Sequence, residues 1–405
     1  MKKKFLKFIL PMLLLVAATL TIGPSCSGEL LGNTIGDPIA YSEISAGHDH
    51  SIAKKLDGTL WSWGLNTTGQ LGNSSISTST SNPEKIGTDT NWDKISAGHY
   101  HNLALKTDGT LWAWGSNSYG ELGDGTLSIQ KEPIQIGTAN DWKYIAAGSN
   151  HSLAIKTDGT LWAWGRNDNT GQLGDGTIVN KSTPVKIGKD TDWMIVSAGD
   201  RHSAGIKTDG TLFMWGSNDE GQFGVGAGNT KGSLTPLSTA NVASKTTWKT
   251  ISCGNFHTIG IKTDGTMWGS GTNSRGQLGI GSIVSQNTFT KIGTSANWIM
   301  ISAGMLNSIA ISSNGTTSQS KAYSWGANDL GQSRDNTNID ILAPVLIANI
   351  FGNTDNYLRV SAGGNHTLTI LSTSWNPVLC SGKNDFGQLG DGSNINKKIF
   401  VRVTQ

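Results

Sequence analysis

The chain has little charge, little proline and little cysteine. Of its 405 residues, 15% are Asp, Glu, Lys or Arg, nine are Pro and three are Cys. Charge therefore sits well below the usual quarter of a soluble domain. The balance is also close, with 31 basic against 29 acidic side chains. Setting aside Lys2, Lys3, Lys4 and Lys7, which belong to a leader, turns the formal charge from +2 to −2. No basic stripe of the kind that tracks a phosphate backbone is present, so no nucleic-acid partner is expected. Outside the leader there is no long 3.6-residue periodicity, and no nucleophile elbow, phosphate loop or zinc-helix motif appears. The excesses lie elsewhere, in 53 Gly and 15 Trp. A disordered or collagen-like chain would share the Gly but not so many Trp.

Residues 1–25 have the order of a secretory signal peptide: basic Met1 to Lys7, an apolar run from Phe8 to Ile22, then small Gly23 and Ser25. The run is short for a membrane span. Cys26 stands where a lipoprotein signal places its lipidated cysteine, although Gly23 and Pro24 occupy positions where such signals carry Leu and a small residue. Cleavage by an ordinary signal peptidase near Ser25 or Ser27 is the alternative. The expected protein is exported from a bacterial cell, secreted or lipid-anchored at the envelope through Cys26, with residues 26–40 as a short linker.

The rest of the chain repeats. Ile44-Ser-Ala-Gly47-x-x-His50 recurs with starts at Ile95, Ile145, Val196, Ile251, Ile301 and Val360, at intervals of 51, 50, 51, 55, 50 and 59 residues. A second string follows in each unit, as in Lys106-Thr-Asp-Gly-Thr-Leu-Trp-Ala-Trp-Gly115, and then Gly-Gln-Leu-Gly, as at Gly69. Each unit reads as four short strands, for example Trp142 to Ala147, His151 to Lys156, Thr160 to Gly165 and a fourth around Pro184 to Ile187. The repeats start near 41, 92, 142, 193, 248, 298 and 357. Residues 41–405 are therefore expected to form an all-β, seven-bladed β-propeller with four short antiparallel strands per blade. The ring closes either by packing alone or by Gly32 to Ile39 joining the last blade.

These three linked motifs resemble the regulator of chromosome condensation repeat family. The resemblance implies a seven-bladed propeller. Export is closer to the family's bacterial extracellular members, among them a proteinaceous inhibitor of β-lactamases, than to its nuclear founder. It also carries two alternatives for function. One is guanine-nucleotide exchange, the founder's activity; the other is a lectin or enzyme that uses the central funnel.

Fourteen of the fifteen Trp fall on repeat positions, and pairs such as Trp112 and Trp114 point to one sheet face, where they suit packing between blades. Burial of each is worth very roughly 1.5–3 kcal/mol, so these residues are expected in the core. The recurrent His (His50, His101, His151, His202, His257, His366) would be spread around a ring rather than converge on a metal, and Asn307 fills the seventh slot. No metal or other cofactor is expected. Cys253 and Cys380 replace small core residues in units five and seven, and are expected as buried free thiols.

With the constant residues assigned to scaffold, function falls to variable residues on loops. Antiparallel connections alternate between faces, so the Ala-Gly-x-x-His turn and the Asn-x-x-Gly-Gln loop open on one face as a double ring. Tyr100, Tyr119, Phe256, Met305, Leu306, Leu330 and Phe386 are large apolar groups at these turn positions. As a set they point to a site for a protein partner. No catalytic residues are assigned, and the expected molecule is a monomeric, non-enzymatic binding propeller.

Overall fold

A computed structural model describes residues 40–404, apart from 227–231, 240–246, 314–319, 334, 348–355 and 374–375. The leader, Cys26 and the segment Gly32 to Ile39 lie outside the described residues. The described chain forms seven sheets of four antiparallel strands, each sheet drawn from one repeat in sequence order. In the first blade these are β1 (Tyr41–Ala46), β2 (His50–Lys55), β3 (Leu60–Leu65) and β4 (Ser79–Ile86). In the last they are Tyr357–Ala362, His366–Leu371, Val378–Gly382 and Lys397–Arg402. The β2–β3 turn is closed by Asp57, whose Oδ1 accepts from the Thr59 N–H at 3.0 Å, with Gly58 at φ 78°. A positive φ is what a tight Asp-Gly turn demands.

The innermost strand carries a feature that a simple alternating pattern would not contain. Its aromatic and its Ile or Val are three residues apart, which on a regular strand puts them on opposite faces. Both are nevertheless buried, as in Trp92 and Ile95, because the register slips between Trp92 and Lys94. The bulge absorbs the extra residue.

The hydrophobic core is divided among the seams between blades. The cluster holding Trp114 combines Ile52, Leu60 and Ile86 of the first blade with Trp92, Ile95 and Ala104 of the second. The last seam is built alike, from Tyr41, Ile44 and Trp63 against Leu368, Ile370 and Leu389. Trp63, Trp114, Trp164, Trp215 and Trp325 are fully buried, while their partners Trp61, Trp112 and Trp162 are half-buried on the same face. A Lys from each Lys-Thr-Asp-Gly turn lies over that outer ring, as Lys106 does 3.7 Å above Trp112. Such a cation–π contact covers apolar surface while leaving the ammonium near water.

Polar groups stitch the same seams. Ser45 Oγ accepts the Ala97 N–H of the next blade at 2.9 Å, and Ser361 Oγ returns the bond to Ala46 across the closing seam at 3.0 Å. Among the described residues six of the seven seams carry such a bond, each pairing one N–H on the open edge of an innermost strand; in the third blade Ala146 stands at the Ser position. His101 Nε2 reaches Ser152 Oγ at 3.0 Å, and that hydroxyl donates to the Glu121 carbonyl at 2.7 Å. The hydroxyl's single proton being used, His101 must donate from Nε2. His366 to Ser51 at 2.9 Å, with Ser51 donating to the Gln388 carbonyl, repeats the arrangement where the ring closes. Closure among the described residues thus uses the same kinds of bond as the sequential seams. Asn307 donates to Thr367 Oγ1 at 3.4 Å in the seventh slot.

Candidate functional site

Both variable loops of each blade open on one face, as alternation of the strands requires, and both are held by the backbone rather than left to wander. The N–H that follows the third strand donates to the carbonyl of the second variable residue in the Gly-x-x-His turn. Ser116 does so to Tyr100 at 2.8 Å, Thr272 to Phe256 at 2.9 Å and Ala327 to Leu306 at 2.8 Å. The outer ring is fixed by the residue between the two glycines of Gly-Gln-Leu-Gly. Gln332 Oε1 accepts the Leu330 N–H and Gln388 Oε1 that of Phe386, both at 3.0 Å, and Glu121 takes the role for Tyr119 at 2.8 Å. The main-chain carbonyl of that same residue accepts the next blade's Trp, as Glu121 does from Trp164 at 2.9 Å. One residue therefore joins two blades and aims a surface side chain. That double role was not apparent in the sequence.

Tyr100, Tyr119, Phe256, Met305, Leu306, Leu330 and Phe386 are all half-buried, neither core nor free. Tyr119 lies under the Arg166 guanidinium of the next blade at 4.9 Å, and Phe386 under Lys383 at 5.1 Å. Met305 sits at the mouth of an axial channel of about 330 Å³. Tyr100 belongs to a cluster at the same mouth: its ring is 5.6 Å from His48 and 6.2 Å from His99, and the two imidazoles are 5.0 Å apart.

Behind His48, which lines the mouth, stands an ionic cluster built on Asp49. Asp49 is buried and receives His48 Nδ1 at 2.7 Å, Lys383 Nζ at 3.0 Å and Gln388 Nε2 at 3.3 Å. Burial opposes its ionisation, but the bonds and charge of His48 and Lys383 prevail and hold the carboxyl well below the usual carboxylate range. Lys383 comes from the last blade, so this ion pair spans the closing seam. His99 Nε2 lies 2.9 Å from Ser149 Oγ and 3.3 Å from Asn255 Oδ1, three blades on, so its side chain reaches across the channel. Burial and the neighbouring His48 lower its pKa.

The other polar recurrences do structural work. The six buried repeat His each engage the neighbouring blade, and burial pushes His50 down to about 4 and the other five to about 3. Asp124 binds its own loop, accepting Thr126 N–H and Oγ1 at 2.9 Å and Asn117 Nδ2 at 3.0 Å. Cys253 and Cys380 are buried free thiols, and burial raises Cys253 to about 12. Among the described residues no group of three or more His, Cys, Asp or Glu is placed to hold a metal ion.

The chain is similar to the ultraviolet-B receptor UVR8 of Arabidopsis thaliana, 31% identical over 362 residues, which cover 88% of this chain and 80% of the receptor. It is also similar to the probable E3 ubiquitin-protein ligase HERC6 of Homo sapiens, 33% identical over 225 residues, 53% of this chain but 22% of that much longer protein. Among solved structures, Prp20p of Saccharomyces cerevisiae superposes with a TM-score of 0.69 at 23% identity, covering 81% of this chain and 82% of that one, a likeness of fold. The family model of the RCC1-like domain matches residues 29–369. Seven sequential four-stranded blades, a receptor aligned along most of both chains and this match together place the chain in the RCC1-like domain family.

Proposed function

We propose that this ring is a non-enzymatic binding module that recognises a protein partner through the double ring of loops on one face. The observation that carries the reading is the contrast between rigid placement and varied side chains. The inner turns are fixed by one recurrent backbone bond and the outer loops by a Gln or Glu side chain, yet four of the seven blades place Tyr, Phe or Leu at these positions, where turns favour polar residues such as Asn150 and Asn365. Pre-ordered aromatic and apolar anchors lose little entropy on binding. The Prp20p structure, described together with that protein's binding to Gsp1p and histones, is consistent with such a use of the fold.

Replacing Tyr100, Phe256 and Met305 together by Ala is expected to weaken capture of the physiological partner by at least about a hundredfold, because anchor residues cost about 2 kcal/mol or more each. The melting temperature is expected to stay within a few degrees, since the three are half-buried and lie outside the seam clusters. Unchanged affinity in a surface-binding assay would remove the face from consideration; collapse of the fold would reassign the three residues to the core.

The proposed setting is extracellular or at the cell envelope. Residues 1–25 support it by composition. Intact-mass measurement of the chain recovered from a bacterial host is expected to show loss of at least the first 25 residues. Retention of Met1 would contradict export.

A further inference from the structure

We infer that the loop face is built for a basic protein surface whose cationic side chains are flanked by apolar ones; this rests on the partner-binding reading above. Two observations outside the seven half-buried anchors support it. The first is an outer rim of aliphatics. Leu127, Ile178, Val179, Val284, Ile339 and Ile395 all stand just before the fourth strand of their blades and are 53–73% exposed. They are not on slack loops. A buried Asn ties each loop down, as Asn167 Nδ2 does to the carbonyls of Thr177 and Val179 at 3.0 and 3.3 Å, and Asn384 Nδ2 to those of Ser393 and Ile395 at 2.9 and 3.2 Å. Recurrent aliphatics held out to solvent on fixed backbone are the features of a contact rim rather than of stray surface residues.

The second observation is charge. Across the turns and loops of this face, Asp and Glu outnumber Lys and Arg about two to one by sequence. Asp219, Glu220, Asp329 and Asp385 are exposed there. Among the described residues the loop bases are paired: Arg275 Nη2 is 2.7 Å from Asp340, Lys383 is 3.0 Å from Asp49, and Arg166 pairs with Asp168. Arg201, which is exposed, stands 3.6 Å from Asp200. On the opposite face, five turns set one Lys against one Asp two residues away, and the links between blades add Asp89, Asp141, Asp190 and Asp192, which pair with Lys106, Lys156 and Lys207, so acids are in excess there too but without the aliphatic rim. The loop face therefore carries an excess of negative potential ringed by aliphatic side chains. Complementarity selects a partner with Lys or Arg framed by apolar residues, and disfavours an anionic membrane.

The test is to pan a random-peptide phage library on the purified chain. Recovered peptides are expected to be enriched in Lys or Arg together with aliphatic or aromatic residues. Their synthetic forms should bind at least about tenfold more weakly to D219N/E220Q/D329N/D385N, and separately to I178S/V179S/I339S/I395S. Binding should also weaken as salt rises from about 0.1 to 1 M, where the screening length falls from about 10 to 3 Å. Recovery of acidic or uncharged peptides, of none above background, or affinity for both variants equal to that for the unsubstituted chain would overturn the inference. Tighter binding to phosphatidylglycerol vesicles than to the peptides would do so too. Peptides that lose binding only to the Tyr100, Phe256 and Met305 triple variant would leave the partner face standing while removing the basic partner. Peptides indifferent to all three variants would remove both.

Discussion

Acidification from pH 7 to about 4.5 is expected to unfold the ring in one steep transition, before its turn aspartates titrate. The cause is the circle of six buried imidazoles, each neutral in the fold and depressed to about 3 or 4 by burial. Each Nε2 is engaged with the next blade, while Nδ1 faces a glycine and has no acceptor, so a second proton would meet neither water nor a partner. An unfolded His binds its proton near pH 6.5. Below that value the unfolded chain therefore holds more protons than the folded one. Stability contributed by these groups is complete above about pH 6.5 and is lost as pH falls from there towards 4. Each His contributes a slope of up to about 1.4 kcal/mol per pH unit, so over about two units six of them reach the top of the roughly 5–15 kcal/mol by which a domain is usually stable. The turn aspartates such as Asp57 and Asp108, whose own bonds to Thr lower their pKa, add their losses at lower pH, below the His window. Denaturant midpoints measured from pH 8 to 4.5 should show this slope. H101N/H151N/H202N, which copies the natural Asn307, should roughly halve it. A midpoint that does not move above pH 4.5 would rule out the account.

Gly98→Ala, at the seam end of the turn that carries His99 and Tyr100, is expected to be strongly damaging. A Cβ there would lie 2.3 Å from the Gly148 carbonyl oxygen of the next blade and 2.6 Å from His101 Cε1. Neither is the end of a flexible side chain, so the blades must separate or the His must leave its bond to Ser152. Overpacking of this kind costs about 1–3 kcal/mol even where relaxation is easy, and more where backbone is met. Failure to accumulate as a folded protein, or a loss of at least about 3–4 °C in melting temperature, is the expected result, about what 2–3 kcal/mol gives in a protein of this size. Gly137→Ala is the control. It has φ 62° and nothing within 4 Å of the added methyl, so only the left-handed backbone penalty of about 1–2 kcal/mol applies. Equal effects of the two substitutions would show that steric contact at the seam is not what makes Gly98 a glycine.

The sequence carried the fold because a repeat averages out its own noise. Seven copies of Ile-Ser-Ala-Gly-x-x-His identify the strands, and the breaks in pattern between copies expose the loop positions. The bulge after Trp92 was not legible, since a spacing of three is compatible with several backbone paths and only packing selects one. The work of Gln332 or Gln388 was hidden for another reason: side chain and main chain act in different directions, and a motif reports only that the residue recurs. The seven apolar loop residues were legible as departures from turn chemistry. Asp49 and Lys383 were not, because their contact joins residues 334 apart and is made at one seam alone.

That single seam has a consequence for how the ring is assembled. All strand pairing lies inside one repeat, and six of the seven seams join repeats adjacent in sequence. The chain can therefore fold by adding blades in order, each on the edge left by the one before. The closing contact, typified by Ser51 with His366 at a separation of 315 residues, is the long-range exception. Because the entropy of closing a loop grows only with the logarithm of its length, this last step is affordable once an open arc has formed. Before it forms, the arc presents two unpaired apolar flanks, one bearing Trp63 and the other Leu389, and these are the surfaces through which two unfinished rings would meet.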